Sequence, residues 1–378
     1  MIEALRNIPN WRLERRAKPG GEVRYRVGSV AIGVVLSTAF ALLVSDADPG
    51  QFFEGLWNST LGKGAGFEYM LTLTATLLLV GLAAAIPLRL GLWNIGGDGQ
   101  LFLGAWGAFA MGQLFPDMNS SLLLPLMFVA GAICAALWSL IPAITRVYLN
   151  VNEIISTLLF NFIAASWVIY WAGSKWGEEA SAGSVKSEPV PSQTIIESIP
   201  VSGDYLIPIG FVIAVVFGAA VWLFLRGSVF GYEMSIIGSS PKAATYAGMP
   251  TKRIMILVFA LGAVAAGLAG VLEMLTNVQR YGPALSNNTG YTGVVVAVLA
   301  GGFGPQLLAM ALVFAVITIA GQVLTITGAP SELVFAMYGL TLICAAIGQG
   351  LRHVRIVNPA RAEADGARAA PAAAGGAK

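Results

Sequence analysis

The chain has 378 residues, of which 56% are hydrophobic and only 11% charged, with a formal net charge of +2 and a mean hydropathy of +0.74. An ordinary soluble domain carries about 25% charged residues, and no soluble fold covers this much apolar surface, so lipid is the solvent for most of the chain. A single histidine, His353, and two cysteines alone in apolar runs, Cys134 and Cys344, leave little material for metal, disulfide or histidine-based chemistry.

Residues 1–26 are polar and basic, with Arg6, Arg12, Arg15, Arg16, Lys18, Arg24 and Arg26. An apolar run follows at 27–44. The basic stretch is too long for a signal n-region and VSDADPG is a poor cleavage site, so the run is read as an uncleaved first membrane helix. Further apolar runs fall near 68–88, 100–116, 121–145, 153–173, 205–225, 254–275, 290–302, 306–327 and 331–349. They predict an all-α polytopic integral membrane protein of about ten transmembrane helices, because every backbone group in lipid must be satisfied internally. The run at 290–302 is too short to cross comfortably and is expected to be tilted, extended by its neighbours, or re-entrant.

Lysine and arginine set the orientation. With the N-terminus inside and ten spans, 18 of the 22 basic residues fall inside, leaving Lys63, Lys175, Lys186 and Arg280 outside. Both termini are then expected to be cytoplasmic. The loop at 173–204, with EEASAGSVKSEPVPSQ, is placed outside, as a plain connector or a docking surface for an extracytoplasmic partner. The Ala/Gly-rich segment 351–378 is expected to be a disordered cytoplasmic tail.

The stretch GLWNIGGDGQ at 91–100 interrupts the second and third spans with glycines Gly91, Gly96, Gly97 and Gly99. Continuous helix is not expected there. Asn94, Asp98 and Gln100 are polar groups at membrane depth, which are functional candidates by default. Trp93, Phe102 and Trp106 lie nearby in sequence, with faces suited to a flat base or a sugar. Near the cytoplasmic end of the pathway, the stretch reads as an elbow with Asp98 capping the next helix, as a gate, or as a substrate contact. GGDGQLFLGA at 96–105 and GGFGPQLLAM at 301–310 echo each other and are compatible with an internal repeat. An inverted five-plus-five repeat, however, pairs the third span with the eighth, not the ninth.

NVNEIISTLLFN at 150–161 opens the fifth span. Asn152, Glu153, Thr157 and Asn161 fall at near-helical spacing, as a wet pathway face or as interhelical hydrogen-bonding groups. Gly262, Ala266 and Gly270 form a small-residue seam read as packing. Glu273 and Asn277 continue outward and are candidates for an outer vestibule.

The internal cytoplasmic segment 226–253 is punctuated for a short helix. Ser239 or Ser240 caps it, Pro241 opens it, Gly248 supplies a left-handed stop and Pro250 follows. A helix of barely two turns is not stable alone in water, so it must dock on something. Gly231, Gly238, Pro241, Ala243, Ala244, Ala247 and Gly248 form a pattern that resembles the coupling loop of bacterial ABC-importer permeases. GLWNIGGDGQ, NVNEIISTLLFNFIA at 150–164 and LAGGFGP at 299–305 are similar to blocks of the nucleoside and simple-sugar branch, in the same order over most of residues 30–350. Asp98 departs from that branch, which more often has Glu.

The resemblance implies a permease domain over 27–350 that performs no chemistry and imports nucleosides or simple sugars. It implies a cytoplasmic ATP-binding subunit that uses ATP and Mg, an extracytoplasmic substrate-binding protein, and a second, related permease. This chain itself is expected to bind no cofactor and no nucleic acid. Its only Gly–Lys pair, Gly62–Lys63, has no Ser or Thr after it, so no P-loop is present. An ion-coupled secondary transporter remains the alternative. It shares broken helices at its sites, and needs an ionisable site deep in the membrane.

Overall fold

A computed structural model of the chain describes residues 12–15, 21–45, 47–177, 185–352 and 354–357. Most of the basic N-terminal segment, residues 178–184 of the outer loop, His353 and the tail beyond Val357 lie outside the described residues. In chain order the helices are α1 (Glu22–Ser45), α2 (Pro49–Asn58), α3 (Gly64–Leu88), α4 (Gly97–Leu114), α5 (Ser120–Leu149), α6 (Glu153–Tyr170), α7 (Ile209–Gly227), α8 (Val229–Ser239), α9 (Pro241–Tyr246), α10 (Thr251–Glu273), α11 (Thr289–Ala300), α12 (Pro305–Ile326) and α13 (Leu333–Leu351). Two short hairpins pair β1 (Arg12–Arg15) with β4 (Val354–Val357) and β2 (Ser198–Ser202) with β3 (Tyr205–Pro208). The chain divides into two compact units, Met1–Ala41 with Gly339–Lys378, and Leu42–Tyr338.

In the first unit, Gly33 of α1 packs on the backbone of Thr341 and the side chain of Cys344, and Thr341 donates a hydrogen bond to Ser37 at 3.3 Å. The antiparallel β1–β4 pair brings the residue runs before the first span and after the last one together. That pairing needs both runs on the same side of the membrane, which an even number of crossings provides.

The second unit holds the remaining spans. All ten predicted apolar runs carry helix, and eight helices among the described residues are long and apolar enough to cross a membrane. The other two predicted spans are the glycine-rich α4 and the 12-residue α11. At 1.5 Å per residue α11 reaches only about 18 Å, well short of a hydrocarbon core of about 30 Å. An irregular segment makes up the difference. The ring of Tyr281 stacks on Phe109 of α4 at 6.0 Å, while Ser286 hydrogen-bonds Asp98, eleven residues earlier in α4. Residues 281–286 therefore run beside α4 over about 16 Å. They deliver the N-terminus of α11 to the level of the N-terminus of α4. The third and eighth expected spans thus both begin at irregular segments and meet at their starts. The glycine echo at 301–310 belongs instead to the turn before α12.

Two boundaries differ from the sequence reading. The span expected from residue 205 begins at Ile209, because 205–208 is β3, paired with β2 across a turn whose Gly203 has φ 55°. A short apolar run does not by itself distinguish strand from helix. Helix also begins earlier than the glycines suggest, at Gly97, so Gly97 and Gly99 lie within α4.

The predicted small-residue seam packs α10 on two neighbours at once. A Cβ on Gly262 would lie 2.7 Å from the Ala83 carbonyl of α3, and one on Gly270 would lie 2.1 Å from the Leu101 carbonyl of α4. Gly104 meets Gly267 backbone to backbone, with an added Cβ 2.3 Å from the Gly267 Cα. Gly104→Ala should therefore destabilise the protein by about 1–3 kcal/mol through overpacking. Gly339, with no heavy atom within 4 Å of an added Cβ, should accept alanine without loss. Thermal unfolding of both variants in the same detergent checks the contrast.

Candidate functional site

The elbow after α3 begins with a missing donor. Pro87 has no N–H, so the carbonyl of Ala83, four residues earlier, lacks its helical partner. Asn94 supplies one, donating from Nδ2 to the Ala83 carbonyl at 3.0 Å. Ala83 lies five residues before the end of α3, so the chain has doubled back by about 7 Å into the membrane-embedded layer. The rest of the Asn94 amide is also used. Asn94 and Gln100 bond reciprocally, Nδ2 to Oε1 and Nε2 to Oδ1, each at 3.0 Å, and Asn94 Oδ1 accepts the Gly96 N–H at 3.1 Å. Both side chains are buried.

The stripe on α6 completes this clamp. Thr157 Oγ1 accepts the Ile95 N–H at 3.2 Å and donates to the Glu153 carbonyl at 2.6 Å. Asn161 Oδ1 accepts the Gly99 N–H and its Nδ2 donates to the Ile95 carbonyl, both at 2.9 Å. Glu153 pairs with Arg146 at 3.0 Å and accepts the Trp93 N–H at 3.4 Å. The two polar blocks of the sequence are therefore one structure. The stripe's hydrogen bonds run to Ile95 of the elbow and to Gly99 at the start of α4. Asn152 stands apart: it is exposed and caps α6 by accepting the Ile154 N–H, just after Asn150 ends α5 in a left-handed conformation.

Asp98 does not cap its own helix. Its carboxylate accepts the N–H of Gly290 at 2.7 Å and the hydroxyl of Ser286, so it caps α11 across the chain. The two N-termini touch, since a Cβ on Gly290 would lie 2.2 Å from the Asp98 nitrogen. Both carry partial positive charge from their peptide dipoles, and one carboxylate between them stabilises both. Ser286, Gly290, Pro87 and Arg146 were not picked out from sequence. The polar run SNNT before a short apolar segment was the available sign of a helix start.

The remaining candidates are less united. Glu273 is buried, not open to a vestibule: it accepts the Thr76 hydroxyl at 2.7 Å and Asn277 Nδ2 at 2.6 Å, tying α10 to α3. Asn277 is exposed in the wide π-type turn that follows α10. Trp93, Phe102 and Trp106 do not form one platform. Phe102 is buried, Trp93 is 38% exposed, and Trp106 packs edge-on against Trp167 and Trp171 at 5.5 and 5.4 Å.

The short helix stands where its punctuation places it. Ser240 Oγ accepts the Ala243 N–H at 3.4 Å and Pro241 is the first helical residue. Gly248 has φ 75°, its N–H bonds the Thr245 carbonyl, and the Met249 N–H bonds the Ala244 carbonyl, each at 3.0 Å. That is a Schellman stop. Ala244 is buried, so it anchors α9, while Pro241, Ala243, Ala247 and Gly248 are exposed. Tyr246, overlooked in the sequence, is 93% exposed at the helix end. Gly238 of α8 lies against the start of the elbow, where an added Cβ would come 2.0 Å from the Arg89 carbonyl.

The Pro87–Asn94 pairing has a testable consequence. Asn94→Ala should destabilise the fold, and Pro87→Ala in that background should recover about 1 kcal/mol by giving the Ala83 carbonyl a helical donor again. Equal losses in both backgrounds, measured by thermal unfolding, would sever the link.

Residues 66–346 match the family model described as the permease component of branched-chain amino acid transport systems. Among similar proteins is the glucose ABC transporter permease protein TsgB13 of Haloferax volcanii, 29% identical over 94% of this chain and 93% of that protein. The nucleoside ABC transporter permease protein NupB of Lactococcus lactis is 27% identical over 81% of this chain and 85% of its own length. The guanosine ABC transporter permease protein NupP of Bacillus subtilis is 27% identical over 84% and 91%. The spans, the elbow and the family match agree: the chain is a multi-pass transport subunit of the cytoplasmic membrane, not an enzyme, and belongs to this family of ABC-importer permeases.

Proposed function

We propose that the chain is the translocation subunit of a nucleoside importer, working beside a second, related permease. An extracytoplasmic binding protein delivers the cargo. A separate cytoplasmic subunit binds ATP with Mg and seats on α9. The observation that carries this reading is α9 itself: a helix of six residues, capped at both ends, anchored by Ala244 and presenting Tyr246 to solvent. Nucleosides are favoured because NupB and NupP bear that cargo in their names. The glucose permease TsgB13, with its 94% coverage, keeps simple sugars as the second reading. A ligand-binding screen on the partner binding protein separates the two: tight nucleoside binding supports the first, and monosaccharide binding alone replaces it.

An ion-coupled mechanism is disfavoured by the engagement of its two best carboxylates. Asp98 caps α11, and Glu273 is bound by Thr76 and Asn277. Collapsing ion gradients while ATP is kept intact should leave uptake unchanged.

The elbow is assigned a gating and positioning role, with Asp98 holding the two helix starts together and not gripping cargo. Asp98→Asn retains acceptor oxygen but loses the charge between two positive helix ends, so uptake per inserted molecule should fall several-fold. A change in protein level alone, with specific uptake intact, would make the elbow purely structural.

The coupling surface is best tested on its exposed face, since Ala244 and Gly248 are needed for the helix itself. Tyr246→Glu or Ala247→Glu should lower uptake at least about tenfold, the effect of losing roughly 1.4 kcal/mol of contact, while membrane insertion is unchanged. Normal uptake in both variants would remove α9 from the coupling role.

A further inference from the structure

A cavity of about 580 Å³ with a mixed polar and apolar lining opens beside the last residues of α3 and α7. It is bounded by Arg89, Arg226, Tyr232 and Ser235 and by the glycine-rich turn before α12. The Arg89 guanidinium carbon lies 4.7 Å from the centre of the Phe303 ring, and that of Arg226 lies 5.4 Å from the Trp222 ring. Cation–π stacking of this kind fixes the plane of a guanidinium and leaves its N–H edge free. No described residue offers either arginine a carboxylate or another hydrogen-bond acceptor at bonding distance. Both arginines are exposed at the cavity, and two oriented cations with no described protein acceptor favour an anion there.

The cavity has an apolar continuation. Trp222, Phe303 and Gly304 are shared with a second groove of about 220 Å³, lined further by Leu78, Val215, Gly218 and Leu308. Gly304 is what lets the two join, since a Cβ there would come 2.8 Å from the Trp222 indole nitrogen. The combined shape is a charged mouth with a narrow hydrocarbon-lined extension between α7 and α12. A free phosphate or a protein carboxylate fills only the mouth.

We propose that this is a binding site for an anionic phospholipid of the inner leaflet. Its phosphodiester lies between Arg89 and Arg226, and one acyl chain runs along the groove past Gly218 and Leu308. The leaflet follows from the charge bias, which puts both arginines on the basic side of the membrane, where anionic headgroups attract them. Charge complementarity at the mouth and an apolar channel leading from it identify the occupant together. The site also touches the coupling machinery, because Tyr232 and Ser235 belong to α8, which leads directly into α9. A bound lipid therefore braces α8 against the ends of α3 and α7.

The transporter purified with its partner subunits, in nanodiscs of phosphatidylcholine with or without phosphatidylglycerol, tests this by native mass spectrometry. Phosphatidylglycerol should stay bound to the wild type. Arg89→Gln with Arg226→Gln should weaken retention about thirtyfold, the combined effect of two basic side chains near a membrane surface. Ala219→Phe, an exposed position that narrows the groove but keeps both arginines, should weaken it too. Unchanged retention in the double variant, or no phosphatidylglycerol on the assembled wild type, overturns the site. Displacement by inorganic phosphate, with Ala219→Phe without effect, overturns the lipid and leaves only a small-anion site.

Discussion

The arrangement of this permease depends on one demand: irregular backbone placed among membrane helices must have every N–H and C=O satisfied from within the protein. Each orphan group in a lipid-like interior costs several kcal/mol. Between Leu88 and Gly97 the chain leaves the helix, and α6 meets the demand with two side chains. Thr157 and Asn161 bond both backbone groups of Ile95 and the N–H of Gly99. Asn94 uses all of its amide on the same segment and on Ala83. Asp98 then extends the solution to a second irregular segment by capping α11. Polarity that reads as a cargo site in the sequence is in large part consumed in making a broken membrane helix possible.

Around this clamp the packing has the opposite character. Gly104 and Gly267 bring α4 and α10 into backbone contact, and Gly262 and Gly270 do the same for α10 against α3 and α4. In lipid, helix association rests on close van der Waals contact and a few polar ties, because the tails are as apolar as leucine. Smooth glycine faces carry few side chains that must interlock, whereas the elbow is held by directional bonds. The Glu273–Thr76 bond adds a polar tie between α10 and α3.

Much of the fold was legible because hydrophobic runs, basic-residue bias and helix punctuation act locally. Eight of the ten expected spans, the capped helix at 241–246 and the seam on α10 all follow from residues close in sequence. What escaped were partners far apart in the chain. Asp98 sits eight residues into a polar block, where capping its own helix is the natural reading, yet its hydrogen-bonding partners are Ser286 and Gly290. Glu273 continues a polar face outward, but Thr76 turns it into the core. The Tyr246 side chain has no partner among the described residues to betray it, and its 93% exposure marks it out. The β2–β3 hairpin escaped for a different reason, since its apolar residues abut those of α7 without a break.

Under the proposed coupling role of α9, the contact between Gly238 and Arg89 would link that helix to the elbow. A force on the exposed side of α9 passes to α8 across the single residue Ser240, which ends one helix and caps the other. α8 meets the elbow through glycine on one side and a backbone carbonyl on the other, so no side chain is available there to rotate aside. A shift of 1–2 Å, about the size of interface helix movements in switching proteins, must then be taken up by the backbone at residues 89–91. The easiest place to absorb it is Gly91, already at φ 72°. Beyond that residue the segment is gripped by Thr157, Asn161 and Asn94, and the displacement is handed to α4 and, through the Asp98 carboxylate, to α11. Such a displacement would meet backbone that is bonded from Asn94 onward and a glycine, Gly91, in the left-handed region just before it.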